Sequence, residues 1–374
     1  MLRLLQVSLF SCVLLSAQEA ATDMARAVVA HHAEHRHERY RECAARTAKL
    51  QQAVGALLAT PGPTTLQAAR EAWCQARMVY CETEAFRFHG GPIDAIEPLV
   101  NAWPVDEAWI DRVAGRPTAG IVNDTKQFPT LSAPLLTLAN ERGGETNISV
   151  GWHAIEFLLW GQDLDPKGPG QRPHTDFVVG AEGAERRRAY LTIVVDLLTT
   201  HMTGLRDAWA PASPPRRRFE SDVQGSLRGM LAGAAILTAF ELCGERLAVA
   251  YETQDQEQEH SCFSDTTCAD LVANQKGIVA VFRGSREASG TPDLVGLVRA
   301  KDTAAADHLQ RSLDATLAAI QAIPAPFDQA FLGTDEAPGR RAIRAAMQAL
   351  DQQTEAITIA GRLLGFDLPL RPGN

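Results

Sequence analysis

The expected fold is built around one segment, Gly151-Trp152-His153-Ala154-Ile155-Glu156-Phe157-Leu158-Leu159-Trp160-Gly161. It is almost wholly apolar, and its only ionisable side chains are His153 and Glu156. Residues three apart on a helix share one face, so these two side chains are neighbours. The length suits roughly three helical turns, and Gly161 can end the helix in a left-handed conformation. The sequence therefore predicts a buried helix, capped upstream by Asn147 or Ser149.

The two ionisable side chains of this helix need partners. A lone buried charge is costly, and such a group otherwise shifts its pKa until it is neutral. From the residues alone, three partners stay open for His153 and Glu156: a metal ion, an arginine, or each other. A bare His-x-x-Glu spacing favours structural pairing, because it arises often by chance.

Length and charge limit the kinds of protein that the sequence can encode. The chain has 374 residues, which is more than one hydrophobic core usually serves, so two domains are expected. The net charge of −9 argues against nucleic acid or an anionic membrane surface as the main partner. Cations match this charge better.

The N-terminus has the composition of a secretory signal. Arg3 precedes a short apolar run that ends at Ala17, before the polar Gln18. The run is too short to span a bilayer, so residues 1–17 are predicted to be a signal peptide and the mature protein to be periplasmic. The alternative is a lipoprotein anchored through Cys12.

Export permits disulfide bonds, because the compartments outside the cytoplasm are oxidising. Cys262 and Cys268 flank a short loop and are predicted to form a bridge. Cys74 and Cys81 lie two helical turns apart, which is too far for a bridge within one straight helix.

The rest of the chain reads as helices joined by long, Gly- and Pro-rich loops. No alternation typical of a strand extends over more than a few residues. The sequence predicts an all-α protein of two helical-bundle domains, the product of a divergent duplication, with long functional loops. We place the N-terminal domain at 18–210 and the C-terminal domain at 219–374, on either side of the Pro- and Arg-rich segment 211–218.

The first long helix is predicted from Asp23 to Leu58, and it carries a cluster of histidines. A second helix is predicted from Thr64 or Thr65 to about Phe88, and a later one from Asp293 to Ala322. His31 and His35 have the i, i+4 spacing that could hold a metal, but the charge-laced pattern favours a solvated helical face. A second polar centre follows in the C-terminal half, where Glu257 and His260 stand three residues apart before a Ser-Cys-Phe-Ser-Asp turn.

Several motifs together resemble the imelysin family, with the greatest likeness to its iron-regulated periplasmic branch. The Gly-x-His-x-x-Glu of Gly151, His153 and Glu156 carries the resemblance first. Further stretches that look like family motifs are Ala69-Arg70-Glu71-Ala72-Trp73, Thr83-Glu84-Ala85-Phe86-Arg87-Phe88, Gly90-Gly91-Pro92-Ile93-Asp94, Asn101-Ala102-Trp103-Pro104 and Glu259-His260-Ser261-Cys262-Phe263-Ser264-Asp265.

The resemblance implies a divalent or ferric metal ion as cofactor or cargo. By matching, His153 and Glu156 carry the family's metal motif and Glu84 supplies a further carboxylate. The further candidate ligands are His260, Glu257 and Asp265, and the side chains expected to contact the ligands are Arg77, Arg87 and Asp94. Two positions depart from the family pattern: Trp152 replaces a more usual tyrosine, and Cys268 stands where relatives often carry histidine.

The resemblance leaves two functions open. Members of the family were first classed as metallopeptidases, and others look like components of iron acquisition. One imidazole with several carboxylates favours iron over zinc. We therefore expect a metal-binding protein of iron handling, with membrane-associated iron-uptake components as partners and no nucleic acid. The alternative is a zinc-dependent metallopeptidase of the imelysin type.

A third interpretation is purely structural. Arg77 or Arg87 would pair with Glu84 or Glu156 inside the bundle, and no metal would bind.

Overall fold

The computed structural model describes residues 2–165, 167–284 and 291–373, and for residues 2–21 the backbone alone. Within these ranges the chain forms helices and no β-strand, which confirms the all-α class. The side chains of the predicted signal peptide, residues 1–17, lie outside the described part of the chain, and so does Cys12. The signal peptide and the lipid anchor therefore stay predictions.

The α-helices follow one another in this order: α1 Leu2–Ala59, α2 Pro63–Cys81, α3 Glu107–Ile110, α4 Ala133–Ala139, α5 Gly151–Trp160, α6 Ala184–Ala208, α7 Pro214–Ser221, α8 Val223–Ile236, α9 Val249–Thr253, α10 Thr267–Arg283, α11 Leu294–Arg299, α12 Thr303–Gln321, α13 Phe327–Phe331 and α14 Pro338–Leu363. A π-helical segment, Leu237–Ala248, joins α8 to α9 without a break. Short 3-10 turns lie at Glu84–Phe86, Glu97–Leu99, His174–Phe177 and Gln256–Gln258.

Two sets of long helices pack side by side. In the first half, α1 lies along α2 and α6, and α5 packs between α2 and α6. In the second half, α14 lies along α12 and the π-helical segment. The two sets meet where α10 packs against α2. The division into two domains and the duplication stay predictions.

Three helices differ from the sequence prediction, and the first of them, α1, begins at Leu2 and not at Asp23. The second helix was expected to reach Phe88, but α2 ends at Cys81 and the chain turns through Thr83 into a 3-10 turn. The region 293–322 was expected to be one helix, but it forms α11 and α12. Asp302 causes this second break, because its carboxylate accepts a hydrogen bond from Ala305 N and caps α12.

The histidine face of α1 is buried, so the prediction of a solvated face was wrong for two of its residues. His32 and His35 pack edge-on against Phe86, with ring centroids 5.4 and 5.8 Å away. Arg36 is also buried, within 5 Å of the rings of Phe86, Trp209 and Phe219. Aromatic contacts thus replace water around this face.

The continuous helix Val223–Thr253 is, by length and composition, apolar enough to cross a membrane. Its most apolar window is 67% buried inside the protein, however, and the helix carries Arg246 in an ion pair with Glu84. A buried helix of this kind is typical of the core of a soluble bundle.

Candidate functional site

The position of α5 depends on a close backbone approach at its first residue. Gly151 has φ +89°, and a Cβ there would lie 2.5 Å from the carbonyl oxygen of Val100. The same carbonyl accepts a hydrogen bond from Trp152 N at 2.8 Å. The N-cap residue of α5 is Val150, which makes no side-chain hydrogen bond to the helix. The prediction of Asn147 or Ser149 as the cap was therefore wrong. Only glycine lets the helix start here.

His153 and Glu156 are paired with each other inside the protein. The Nδ1 atom of His153 lies 2.8 Å from Oε2 of Glu156, and both side chains are at most 1% exposed. The other oxygen of Glu156 accepts hydrogen bonds from the backbone N and the hydroxyl of Ser264, at 3.0 and 2.6 Å. The pair on α5 is thereby tied to the loop that precedes α10.

Burial controls the charge of this pair. It raises the pKa of Glu156 to about 8, although the hydrogen bond from Ser264 and the charge of Arg77 oppose the rise. Burial also lowers the pKa of His153 well below its usual range, and the positive charge of Arg77 adds to this. His153 is therefore a neutral imidazole at pH 7, which is the form that ligates metals.

Arg77 lies at the centre of the site and is fully buried. Its Nε atom donates to Oδ2 of Asp270 at 3.1 Å, and its Nη1 atom donates to Oδ1 of Asn101. Its Nη2 atom lies 3.4 Å from Nε2 of His153 and 3.4 Å from Nδ1 of His260. The guanidinium group is thus a fixed positive charge between α2, α5 and the second half of the chain.

His260 completes the arrangement from the second half. Its ring centroid lies 5.0 Å from that of His153, and Asp270 Oδ2 lies 3.4 Å from its Nδ1 atom. Burial, together with the charges of Arg246 and Arg77, lowers the pKa of His260 well below its usual range. Asp270 also accepts a 2.7 Å hydrogen bond from the Ser261 hydroxyl, while its buried Oδ1 atom has no hydrogen-bond partner among the residues that the structure describes.

Glu84 is buried nearby, but it is held by arginines. Arg246 Nη2 lies 2.6 Å from its Oε2 atom and Arg87 Nη1 lies 3.2 Å away, while Asn274 donates to Oε1 at 3.0 Å. Burial alone would raise the pKa of Glu84, but Arg246 and Arg87 hold it well below its usual range. Asn101 links Glu84 to Arg77 through its amide.

The remaining predicted site residues make other contacts. Asp94 accepts hydrogen bonds from the backbone N atoms of Phe88, His89 and Gly91, so it shapes a turn. Glu257 lies exposed on a 3-10 turn, where partial burial of its carboxyl group and the charge of Glu107 raise its pKa to about 7.

Asp265 is the remaining candidate ligand, and it lies in a separate acidic cluster with Glu259 and Asp328. Of the predicted residues, the structure therefore brings together His153, Glu156, His260 and Arg77.

Asp270 and Arg246 belong to the site but were not among the residues predicted from the sequence. Asp270 lies in the first turn of α10, where an acidic residue is common for helix stability alone. Arg246 lies within an apolar helix and could have been recognised as a charge that needs a buried partner.

The predicted bridge between Cys262 and Cys268 was wrong, because both residues are free thiols. Cys268 is at the start of α10, and its Sγ atom lies 3.7 Å from the carbonyl oxygen of Pro324. Cys262 is buried, and burial raises the pKa of its thiol well above the usual range. The negative charge of Glu156 adds to this rise. The side chains of Cys262 and Cys268 therefore contact different parts of the protein and not each other.

In its present arrangement the centre is closed by its own hydrogen bonds. Both oxygens of Glu156 are used, Nδ1 of His153 faces Glu156, and Nε2 faces the guanidinium group of Arg77. A cation can bind Nε2 of His153 only if Arg77 moves away from it, because two positive charges at that distance repel each other.

Fold and site define an all-helical protein with a buried centre of two imidazoles, carboxylates and one arginine. Residues 36–357 match the imelysin family model, and the chain therefore belongs to the imelysin family. It is 25% identical over 301 residues to iron-regulated protein A of Synechococcus elongatus, a match that covers 77% of this chain and 73% of that protein.

A solved structure supports the fold. A protein of Parabacteroides distasonis, provisionally described as an iron-regulated protein A precursor, superimposes with a TM-score of 0.73 over 91% of this chain and 95% of that one. The identity between the two sequences is 18%, so this likeness concerns the fold alone.

Proposed function

We propose that this imelysin-family protein binds a metal ion, iron in preference to zinc, at the buried centre around His153 and Glu156. The ion would be cargo, and binding rather than turnover would be the protein's task. The observation that carries the proposal is the meeting of His153 and His260, one from each half, with ring centroids 5.0 Å apart in a buried polar setting.

The chemistry of the side chains supports iron. His153 and His260 supply neutral imidazoles, and Asp270 supplies a buried oxygen without a hydrogen-bond partner. Two imidazoles with one carboxylate are the set of non-haem ferrous sites. Catalytic zinc sites use the same set, whereas structural zinc sites are usually rich in thiolates. The relative in Synechococcus elongatus is named for regulation by iron, which agrees with this choice.

Arg77 would hold the site in its metal-free state. The guanidinium group neutralises Asp270 and lies against both imidazoles, so the buried carboxylate keeps a cationic partner when no metal is bound. Iron binding would then exchange one positive charge for another. The structural interpretation, in which Arg77 is the permanent partner, makes the opposite prediction for metal binding.

Titration with iron tests the proposal. We expect about one iron per chain in the wild type, loss of this stoichiometry in His153→Ala and His260→Ala, and retention in His174→Ala, a control on the 3-10 turn His174–Phe177. Circular dichroism should show unchanged helix content, since one ligand is lost without touching the apolar faces. Absence of saturable iron binding by the wild type would support the structural interpretation and reject ours.

The proposal also covers where the protein is located and which partners receive its iron. A signal peptide at residues 1–17 would direct the chain to the periplasm, with anchoring through Cys12 as the alternative, and the iron would pass to membrane-associated uptake components. Mass spectrometry of the exported protein distinguishes a terminus near Gln18 from an acylated Cys12.

The zinc-metallopeptidase alternative is less well supported by the geometry. A peptidase must place a substrate carbonyl beside its metal and a base, but His153 is 1% exposed and Glu156 is not exposed at all.

A further inference from the structure

A second group of acidic side chains lies next to the imidazole centre and is distinct from it. Carboxylate oxygens of Glu259, Asp265 and Asp328 all lie within 4.8 Å of one another. Glu259 and Asp328 are buried, at 0% and 3% exposure, and Asp265 is half-buried. Two segments far apart in sequence, the loop 259–265 and helix α13, thus direct carboxylates to one point.

The buried carboxylate of Glu259 is the strongest indication that this cluster binds a ligand. Within the described part of the chain, both of its buried oxygens lack a hydrogen bond of normal geometry, and so does Oδ1 of Asp265. The hydroxyl of Thr267, which is close to Glu259, accepts a hydrogen bond from Ser261 N at 2.9 Å, and the carboxylates of Asp265 and Asp328 lie beside Glu259. A buried, unpartnered carboxylate of this kind costs free energy unless something binds it.

The surroundings add negative charge. Asp163, on the loop after α5, is 9% exposed. Burial raises the pKa of Asp265 to about 7, and the charge of Asp163 is the largest electrostatic contribution to this rise. Among the described residues, no arginine or lysine forms an ion pair with any of these four carboxylates. Glu84 differs from these carboxylates, because it forms ion pairs with Arg87 and Arg246.

We propose that Glu259, Asp265 and Asp328, with Asp163 beside them, bind a calcium ion. An all-oxygen set of carboxylates is what hard divalent cations take, and calcium accepts six to eight oxygens at about 2.3–2.6 Å. Oxygens on opposite sides of one calcium ion are therefore about 5 Å apart, which accommodates the 4.8 Å limit of this cluster. Magnesium usually keeps several of its waters and is bound through one or two carboxylates, which suits a cluster of buried carboxylates less well.

Calcium at this point would fix the loop that carries the imidazole centre. Glu259 precedes His260, and Asp265 follows Ser264, whose backbone and hydroxyl bind Glu156. The ion would join this loop to α13 and to the segment after α5. Its role is structural support of the loop, and the site uses none of the imidazoles of the iron proposal.

Terbium luminescence provides a direct test, because terbium occupies calcium sites and is excited through nearby tryptophan. Trp103 is well placed as the sensitiser, since its Nε1 atom donates to the backbone carbonyl of Glu259 at 3.0 Å. We expect saturable emission in the wild type, competition by calcium chloride, and weaker competition by magnesium chloride. Glu259→Gln and Asp328→Asn should each lose at least about tenfold in affinity, as for comparable losses around metal sites.

Two controls separate this site from its neighbours. Asp367→Asn removes the same charge from an exposed position and should bind as the wild type does. His153→Ala should lose iron but keep calcium, so the two proposals can fail independently. Calcium should also raise the melting temperature of the wild type by at least about 2 °C and leave that of Glu259→Gln unchanged.

Two results would overturn the proposal. One is the absence of saturable terbium or calcium binding at millimolar concentration. The other is wild-type affinity in both Glu259→Gln and Asp328→Asn. A metal-free melting temperature serves as the folding check: Glu259→Gln removes an uncompensated carboxylate and should melt no lower than the wild type in chelator.

Discussion

The Nη2 atom of Arg77 lies 3.4 Å from Nε2 of His153, the imidazole nitrogen that does not face Glu156. The same guanidinium group forms a buried ion pair with Asp270 at 3.1 Å. Arg77 therefore does two things at once: it supplies the counter-charge of a buried carboxylate, and it occupies the side of His153 to which a cation would bind.

Replacing Arg77 by methionine should destabilise the protein by about 3–5 kcal/mol, because Asp270 is left as a buried charge without its cationic partner. Urea denaturation measures the loss. Arg344→Met is the control: Arg344 forms a longer, solvent-exposed ion pair with Asp335 at 3.8 Å, and its loss should change the free energy of unfolding far less than that of Arg77. Equal losses in the two variants would contradict the central role of Arg77.

The contact between α2 and α10 depends on a second glycine. A Cβ at Gly277 would lie 2.2 Å from the carbonyl oxygen of Glu82, a backbone atom that cannot move alone. Gly277→Ala should therefore cost about 1–3 kcal/mol in the free energy of unfolding, through overpacking between the helices that carry Arg77 and Asp270.

Gly204 on α6 provides the matched control for Gly277. A Cβ there meets nothing within 4 Å, and the residue is exposed within the helix. Gly204→Ala should stabilise the protein by about 0.4–1 kcal/mol, because alanine has less freedom to lose on folding. Thermal or urea unfolding of both variants checks the opposite signs, and stabilisation by Gly277→Ala would refute the close-contact argument.

The sequence predicted the α5 helix and its His153–Glu156 pair because both follow from local rules. Helical spacing places the two side chains on one face, and burial in an apolar stretch requires them to be paired. Asp270 and Arg246 could not be found in this way, since their partners lie 193 and 162 positions away along the chain. Glu84 was predicted as a ligand from the family pattern, but nothing in the sequence indicates that Arg246 would bind it.

The buried histidines of α1 show the same limit of local rules. His35 alternates with charged neighbours, which is typical of a solvated face, and only tertiary contact with Phe86 covers it. The disulfide prediction failed for a related reason. Spacing allowed Cys262 and Cys268 to meet, but the start of α10 directs Cys268 towards Pro324.

The burial of His35 should make the protein sensitive to acid. Burial and the nearby charges of Arg39, His31 and Arg36 lower the pKa of His35 from 6.5 to about 4. Because the folded value lies below the unfolded one, the unfolded chain binds more protons between pH 4 and 6.5. Stability is therefore full above pH 6.5 and falls as the pH drops towards 4.

His35→Gln should remove this contribution, which amounts to roughly 3 kcal/mol over the whole window. Urea denaturation at pH 4.5 and at pH 7 gives the comparison: the variant should lose less stability on acidification than the wild type. His32, whose pKa is also lowered by burial and by Arg36, should retain its own part of the acid sensitivity in the variant. An unchanged acid loss in His35→Gln would mean that His35 is not buried in solution.

The last prediction concerns proteolysis. A zinc peptidase needs an ion with an open position, together with a carboxylate free to act as general base near the working pH. Glu156 uses both oxygens in hydrogen bonds to His153 and Ser264, and Glu84 is held by Arg246 and Arg87. We therefore expect zinc-loaded protein to cleave casein or insulin chains no faster than a chelator-treated control. Cleavage that depends on zinc and is abolished by Glu156→Gln would replace the binding proposal by the peptidase alternative, whereas cleavage that survives this substitution would indicate a contaminating protease.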